Sequence, residues 1–194
     1  KAYKYRIYPN SEAREKLAKQ FGCVRFVYNY FLNERIAHYE KTGKGLTYNQ
    51  TAGMLTDLKK KLTWLKEVHS QALQASLGDL DAAYANFFAG RAKFPNFKNK
   101  RGKQSCRYPQ GFKFQDGYTY LPKIGWIKTI FHKQLHGTPR NLTVSKTKSG
   151  KYFISVIVEE DVFPYESVNR SVGIDLVPAQ MRHHFQLVRS AHRR

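Results

Sequence analysis

Positively charged side chains recur at short intervals between residues 91 and 108. Phe94, Phe97 and Tyr108 are interleaved with them, and the cations are Arg91, Lys93, Lys98, Lys100, Arg101, Lys103 and Arg107. Cations at this spacing can neutralise successive phosphates of a nucleic acid, and aromatic rings among them can stack on bases. We therefore predict phosphate contact for the cations and inward packing for the two Phe side chains. The alternative is a solvated charged loop whose aromatic residues anchor it to neighbouring helices.

The overall charge agrees with a polyanionic partner. The 194 residues include 34 Lys and Arg but only 14 Asp and Glu, which gives a net charge of +20. Residues 91–152 contain 15 basic residues and one acidic residue, Asp116. This excess is larger than solubility requires. Hydrophobic residues make up 41% of the chain, which excludes a disordered basic tail.

The two cysteines, Cys23 and Cys106, have neither a CxxC spacing nor a nearby His, so the sequence predicts no zinc site. It gives no support to a secreted disulfide framework either. There is no apolar run of the ~18 residues that a membrane helix needs, and the opening KAYKYRIYPN lacks the apolar core of a signal peptide. We therefore expect a cytoplasmic protein without membrane contact, nucleoid-associated in a prokaryote.

The order of the predicted elements is strand, helices, strands. Residues 3–8 alternate as a half-buried strand. Helical spacing follows from a cap at Asn10 or Ser11 to near Gly43 and Gly45, from Thr47 to about 62, and from 69 to 88. Residues 91–112 are expected to be a loop. The later predicted strands are 118–121, 124–127, 142–147, 151–159 and 172–176. This pattern predicts an α+β fold in which a β domain is interrupted by a helical insertion and the first strand pairs with later ones.

Seven segments resemble, in order, the TnpB (OrfB) family of transposon-encoded, RNA-guided nucleases related to type V CRISPR effectors. The segments are RIYPN, GCVRFVYNYFLNERI, GKGLTYNQT, VHSQALQASLGDLDAAYANFF, KFPNFKNKR, YLPKIGWIK and VGIDL. The resemblance implies a wedge-like β-barrel from residues 1–9 and 113–170. It implies a helical recognition insertion with the basic loop at 10–112. Residues 171–194 would begin a truncated RuvC-like domain, expected to be disordered.

The resemblance also suggests binding residues. Tyr48 and Gln74 match positions near the short DNA motif that the family reads beside its target, and Gln can pair with adenine in the major groove. Ordinary helix-surface polarity is the competing interpretation for both. Arg25 and Asn29 share one helix face, where packing and helix–loop hydrogen bonding explain them as well as RNA contact does.

Four further cations are candidates for the same interface. Lys123 and Lys128 are expected to extend the surface of the basic loop, and the role of Trp126 between them is open. Lys4 and Arg6 share one face of the first strand. They either continue the nucleic-acid-binding groove or form the solvent-facing side of that strand.

Asp175 is the candidate catalytic residue, because an unpaired acid in the apolar strand VGIDL is costly. The resemblance implies that it binds Mg²⁺, in a site where two metal ions activate water and stabilise the leaving oxygen. Such a site needs several carboxylates, and Asp175 is the last acidic residue of the sequence. His183 and His184 are adjacent and would point to opposite sides of a strand, so they predict no metal site.

The resulting prediction is the nucleic-acid-binding portion of a TnpB-like RNA-guided DNA endonuclease that is catalytically incomplete in this chain. The resemblance implies a guide RNA, a DNA target and Mg²⁺ as cofactor. The alternative is a nuclease-free DNA- or RNA-binding regulator or a transposase accessory protein. A ribosome-associated RNA-binding protein fits the charge but not the ordered segments.

Overall fold

Seven antiparallel strands and three α-helices make up the part of the chain that the computed structural model describes, residues 1–161. The strands are β1 (Ala2–Tyr8), β2 (Gln104–Tyr108), β3 (Lys113–Gln115), β4 (Tyr118–Leu121), β5 (Gly125–Ile130), β6 (Thr138–Lys146) and β7 (Tyr152–Glu159). The helices are α1 (Ser11–Thr42), α2 (Tyr48–Lys61) and α3 (Ser70–Phe88), with a short 3-10 helix at Thr63–Lys66. The fold is therefore α+β, as predicted.

The first strand lies in the middle of the sheet. Its neighbours are β5 and β7, both antiparallel, which confirms the prediction that the first strand pairs with later ones. Tyr3, Tyr5 and Ile7 are buried, whereas Lys4 lies on the opposite, exposed face. This alternation follows from the period of two along a strand and places the face with Tyr3, Tyr5 and Ile7 in the hydrophobic core.

The strand order is β2-β6-β7-β1-β5-β4-β3, and the sheet curls into a half-barrel. The resemblance implies a wedge-like β-barrel, and within residues 1–161 the two edge strands do not pair with each other. The edges are short, three residues in β3 and five in β2, and offer few backbone groups for closure. The RuvC-like strand at 172–176, together with Asp175, lies outside the described residues.

Capping groups set the limits of the long first helix. The Asn10 side chain accepts a 2.8 Å hydrogen bond from the Ala13 amide, and Gly43 ends the helix in the left-handed conformation (φ 67°). These are the cap and the end that the sequence predicts.

Buried polar side chains then fix the helices against one another. Ser76 of α3 donates to the Val24 carbonyl of α1 at 3.0 Å, and the Gln20 side chain accepts from the His69 amide at 2.9 Å. Both bonds join α1 to α3 or to its N-terminus, so the two helices form one support for the loop that follows.

Two predictions about residues 91–112 are wrong in part. Residues 104–108 form β2 rather than loop, and β2 pairs with β6 through Cys106 and Val144. Cys106 and Tyr108 alternate into the core, and this burial, available only once β6 is in place, stabilises the strand. Phe94 and Phe97 keep 42% and 53% of their surface exposed, although the Phe94 ring packs edge-on against Tyr84 and Phe87 of α3, as the anchoring alternative predicts. The turn instead buries Pro95.

The predicted boundaries of the recognition insertion, 10–112, stay a prediction, although β2 lies within that range and belongs to the sheet. No helix of the described part is both long enough and apolar enough to cross a membrane.

Candidate nucleic-acid interface

A cleft of about 500 Å³ opens between α3, the start of α2 and the strands β2 and β6. We call it the recognition cleft, and its lining includes Tyr48, Gln71, Gln74, Gly78, Arg107 and Arg140. The structure thus brings together three of the predicted site residues, Tyr48, Gln74 and Arg107. They belong to three different elements, α2, α3 and β2, so the convergence is a property of the fold.

Tyr48 and Gln74, the two residues that the resemblance suggests, are positioned by the helices to which they belong. Tyr48 is the first residue of α2, directly after the N-cap Thr47, which forms a capping box with Gln50. Gln74 is exposed on α3, one helical turn after Gln71 and one before Gly78. This spacing puts the three α3 residues on one helix face, and that face lines the cleft.

Arg107 is held on the wall of the cleft by two acceptors. Its Nη2 lies 2.7 Å from an Asp79 carboxylate oxygen and donates to the Ala75 carbonyl at 3.3 Å. Both acceptors belong to α3, so the guanidinium ties β2 to the helix. Arg107 therefore lies in a strand and forms an ion pair, whereas the sequence predicts a loop at this position.

Arg140 is a cleft residue that the sequence analysis does not identify. It lies on β6 at the register shift between Pro139 and Asn141, and its side chain forms an ion pair with Glu159 on the neighbouring strand. No local motif marks it among the 15 basic residues of 91–152. Its partner is defined only by the pairing of β6 with β7.

The basic loop is docked on α1 by a reciprocal pair of hydrogen bonds. The Asn29 amide donates to the Lys98 carbonyl and accepts from the Lys98 backbone amide, both at 2.8 Å. One turn earlier on α1, Arg25 donates to the Gln104 side chain at 2.8 Å, and Gln104 in turn donates to the Lys100 carbonyl at 2.9 Å. The helix–loop hydrogen-bond interpretation is confirmed for Asn29 directly, and for Arg25 through Gln104, the first residue of β2.

A second cleft, of about 390 Å³, lies between α1 and this loop and is lined by Arg25, Lys98 and Lys103 among others. The Lys98 ammonium lies 3.6 Å from the centre of the Tyr28 ring. Its partial burial lowers the pKa of Lys98, while the Asp79 carboxylate acts in the opposite direction. Asp79 therefore acts electrostatically on a cation of each cleft, Lys98 and Arg107.

The remaining cations of the loop are exposed. Arg91 donates to the Asn86 side chain at 3.0 Å. The other four form no ion pair with any residue of 1–161, and they are Lys93, Lys100, Arg101 and Lys103. Exposed cations without a carboxylate partner keep their full charge for an incoming polyanion.

Three of the other predicted cations lie on the outer face of the sheet. Lys4 and Arg6 lie 4.8 and 5.1 Å from the centre of the Phe153 ring, and Lys128 pairs in register with Tyr8. Trp126, whose role the sequence leaves open, is 48% exposed on the same strand as Lys128. This face therefore alternates cations with exposed rings.

Lys123 is not brought to the basic loop. It occupies the turn between β4 and β5 with a positive φ of 67° and lines a small cleft with Lys16 and Lys19. The predicted extension of the loop surface to Lys123 therefore has no geometric support within residues 1–161.

Metal-binding groups do not converge in the described residues. No three His, Cys, Asp or Glu side chains of 1–161 lie close enough to share an ion. Cys23 and Cys106 are both buried free thiols, and burial raises the pKa of Cys23 to about 11 and that of Cys106 further. Such protonated thiols are poor zinc ligands. The residues of 1–161 therefore do not fit a Mg²⁺ or zinc centre.

Comparison with known proteins identifies relatives of this chain. Residues 1–44 match the family HTH_OrfB_IS605, described as a helix-turn-helix domain. In this structure they form β1 and α1, so the matched segment contains one strand and one helix.

Three relatives match larger parts of the chain. "Putative RNA-guided DNA endonuclease InsQ" of Escherichia coli K12 is 35% identical over 185 residues, covering 93% of this chain and 46% of the relative. "Putative RNA-guided DNA endonuclease" of Streptomyces pristinaespiralis is 35% identical over 185 residues, with coverage of 90% and 45%. The chain thus spans about half the length of these two. "Virulence protein VsdF" of Salmonella dublin is 40% identical over 114 residues, 53% of this chain and 96% of the relative. From these matches and the ordered segments, the chain belongs to the TnpB (OrfB) family of transposon-encoded proteins.

Proposed function

We propose that this chain is the nucleic-acid-binding portion of a TnpB-like, transposon-associated, RNA-guided DNA endonuclease. The observation that carries the proposal is the convergence of Tyr48, Gln74 and Arg107 in one cleft beside a docked basic loop. The names of the two longer relatives support guide RNA and target DNA as the partners.

The two parts of the interface have different chemistry. The recognition cleft presents an amide and a guanidinium on structured elements, and these groups can form paired hydrogen bonds with the edges of bases. The loop presents exposed cations that form no ion pair within residues 1–161, which suits phosphate contact without sequence preference. We assign DNA recognition to the cleft and backbone attraction to the loop.

The outer sheet face is our candidate for RNA contact. Trp126 there is exposed beside Lys128, and Lys4 and Arg6 follow on β1. Single-stranded RNA is bound by aromatic rings that stack on bases, with cations along the backbone. Recovery of a specific RNA with the purified chain, reduced by Trp126→Ala combined with Lys128→Gln, tests this assignment. Recovery of no specific RNA would contradict guide binding.

We further propose that these 194 residues bind nucleic acid but do not cut it. Within 1–161 no carboxylate cluster exists, and Asp175 is the last acidic residue of the sequence. In the full family site, Asp175 would be one Mg²⁺ ligand. Incubation of the purified chain with a guide RNA, target duplex and Mg²⁺ should give no cleavage. Mg²⁺-dependent cleavage that Asp175→Asn abolishes would refute this part of the proposal.

A nuclease-free nucleic-acid-binding regulator is the second candidate. It is favoured by the short relative VsdF, which this chain matches over 96% of its length. The two candidates differ in RNA dependence, because a guided protein should bind its DNA target only when a matching RNA is present. A regulator should bind the same duplex with or without RNA.

A further inference from the structure

We infer that a cleft on the outer face of the sheet is a binding site for an unpaired guanine base. The cleft has a volume of about 410 Å³ and is lined by Gln115, Asp116, Tyr118 and Trp126, and we call it the aromatic slot. The inference rests on the proposed function, which assigns this face to RNA. It goes beyond that function by naming the base and the side chain that selects it.

Two aromatic rings of the slot are available to a flat ligand. Tyr118 and Trp126 keep 45% and 48% of their surface exposed, on the paired strands β4 and β5. The Trp126 ring contacts the Tyr120 ring at 5.4 Å between centres, which restricts Trp126 without covering it. Aromatic rings stack on every base, so these two account for base binding but not for base choice.

Asp116 is the side chain of the slot that can select a base. It is the one acidic residue of 91–152, among 15 basic residues, and it forms no ion pair with any residue of 1–161. A carboxylate accepts hydrogen bonds and donates none. Guanine offers it two adjacent donors, N1–H and N2–H, on the Watson–Crick edge. Adenine, cytosine and uracil each place an acceptor beside the donor, and a carboxylate repels that acceptor. The slot therefore favours guanine.

The guanine has to be unpaired. In any duplex its Watson–Crick edge is already bonded to the partner base, and its ring is covered by the neighbouring bases. Proteins reach that edge and stack on the ring in single-stranded loops, bulges and ends of RNA. A single-stranded segment is therefore the ligand that fits the slot.

Two exposed cations lie beside the slot. Lys128 pairs in register with Tyr118, and Lys113 pairs with Tyr120, and directly paired residues of antiparallel strands lie on the same face. Neither lysine forms an ion pair within residues 1–161. Rings with a carboxylate can also hold a cationic ligand. The two lysines repel such a ligand and attract the phosphates on either side of a base, so the charge pattern favours a nucleotide.

The local alternative is that Asp116 only forms a turn. Asp116 and Gly117 join β3 to β4 with positive φ at both residues, 46° and 79°, as in a type I′ turn, where Asp before Gly is favoured. Asn is favoured at the same position. Asp116→Asn therefore retains the turn but removes the carboxylate, and it separates the two explanations.

The experiment uses Trp126 as the reporter of its own site in the full chain. The sequence has two tryptophans, and Trp64→Phe leaves Trp126 alone. Its fluorescence is titrated with the single-stranded RNA pentamers UUGUU, UUAUU, UUCUU and UUUUU. UUGUU should quench it with ~10-fold higher affinity than the others, the lower end of the factor for hydrogen bonds to a charged group, because Asp116 is exposed. Asp116→Asn should abolish this preference, while UUUUU binds equally or more tightly because a negative charge is removed.

The matched control is Asp57→Asn. Asp57 is exposed on α2, outside the aromatic slot, and its carboxylate lies 2.7 Å from Lys60 Nζ. The substitution removes the same charge and should leave the guanine preference intact. If Trp64→Phe fails to fold, as judged by thermal unfolding, fluorine NMR of wild type labelled with fluorotryptophan resolves the two tryptophans and gives the same titration.

The same four sequences in DNA identify the source of the guanine. Tighter binding of UUGUU than of its DNA counterpart agrees with the assignment of this face to RNA. Tighter binding of the DNA pentamer would support the guanine site but contradict that assignment.

The outcomes separate this inference from the proposed function. If wild type binds neither RNA nor DNA at low salt, both are wrong. If it binds nucleic acid but the four pentamers quench Trp126 equally or not at all, or if the preference persists in Asp116→Asn, only the inference is overturned. Stronger quenching by an arginine-rich peptide than by UUGUU would also overturn it, since the slot would then be a cation site.

Discussion

Removing the Asn29 side chain should release the basic loop without unfolding the protein. Asn29 makes two hydrogen bonds to the Lys98 backbone, both at 2.8 Å. A neutral hydrogen bond contributes ~0.5–1.5 kcal/mol net, and because this pair is exposed we take the lower half of the range, ~1–2 kcal/mol for both. That free energy corresponds to a ~5- to 30-fold increase in the undocked population of the loop.

The global stability should change little in the same variant. Ala has the higher helix propensity by ~0.5 kcal/mol, which partly offsets the lost bonds in the free energy of unfolding. Asn33→Ala is the matched control, because Asn33 is exposed on the same helix and its replacement gives the same gain in propensity. The difference between the two variants isolates the loop contact.

Hydrogen exchange at the Lys98 amide measures the undocking of the loop directly. The Lys98 amide donates to Asn29, so in Asn29→Ala its exchange should accelerate ~5- to 30-fold, while amides in the middle of α1 keep their protection. Affinity for a nucleic acid should fall by up to the same factor. Unchanged exchange at Lys98 would refute the docking argument, and faster exchange with unchanged affinity would show that loop order is not needed for binding.

Two further predictions concern pH and the recognition cleft. Burial, followed by the nearby Lys123 charge, lowers the pKa of His69 from its ordinary 6.5. His69 therefore binds a proton more readily in the unfolded chain than in the folded one. Its contribution to the free energy of unfolding is fully present above pH 6.5 and is lost as the pH falls through the folded-state pKa. Urea unfolding at a series of pH values should show this loss as a fall in the free energy of unfolding. His69→Gln should make that fall smaller. An equal dependence on pH in the two proteins would contradict the assignment of the loss to His69. Gly78→Ala should raise the free energy of unfolding by ~0.5–1 kcal/mol, because Gly78 lies within α3 and an added Cβ would lie 3.7 Å from Arg107 Nη2, without a clash. An unchanged or lower free energy of unfolding in this variant would show that the cleft has no room for the added methyl group.

The parts of the fold that depend on local sequence could be predicted. The limits of α1 follow from Asn10 and Gly43, and β4 occupies the predicted residues 118–121. β2 could not be predicted, because its alternation is short and its stability depends on β6, which follows only after three intervening strands. Trp126 shows the same limit, since the strand pattern does not say which face of the sheet the helices will cover.

The candidate site, too, could be predicted from the sequence only in part. Tyr48 and Gln74 could be proposed from a family resemblance, and the loop cations from their spacing. The partners that give the arginines of the cleft their chemistry lie on other elements: Asp79 of α3 pairs with Arg107 of β2, and Glu159 of β7 pairs with Arg140 of β6. Composition identifies the cations, but only the paired elements show which of them form ion pairs within residues 1–161.

The salt dependence of nucleic-acid binding tests the central claim most directly. Each phosphate contact in B-DNA contributes ~0.9 to the slope of log affinity against log salt. Wild type should bind with a steep slope, and the triple variant Lys100→Gln, Arg101→Gln, Lys103→Gln should lower that slope by ~2–3, if each lost cation removes one phosphate contact. The control Lys59→Gln, Lys60→Gln, Lys61→Gln removes the same charge from the last turn of α2 and should change the slope by less than one such contact. Equal slopes in the two triple variants, or no salt-sensitive binding by wild type, would contradict the account.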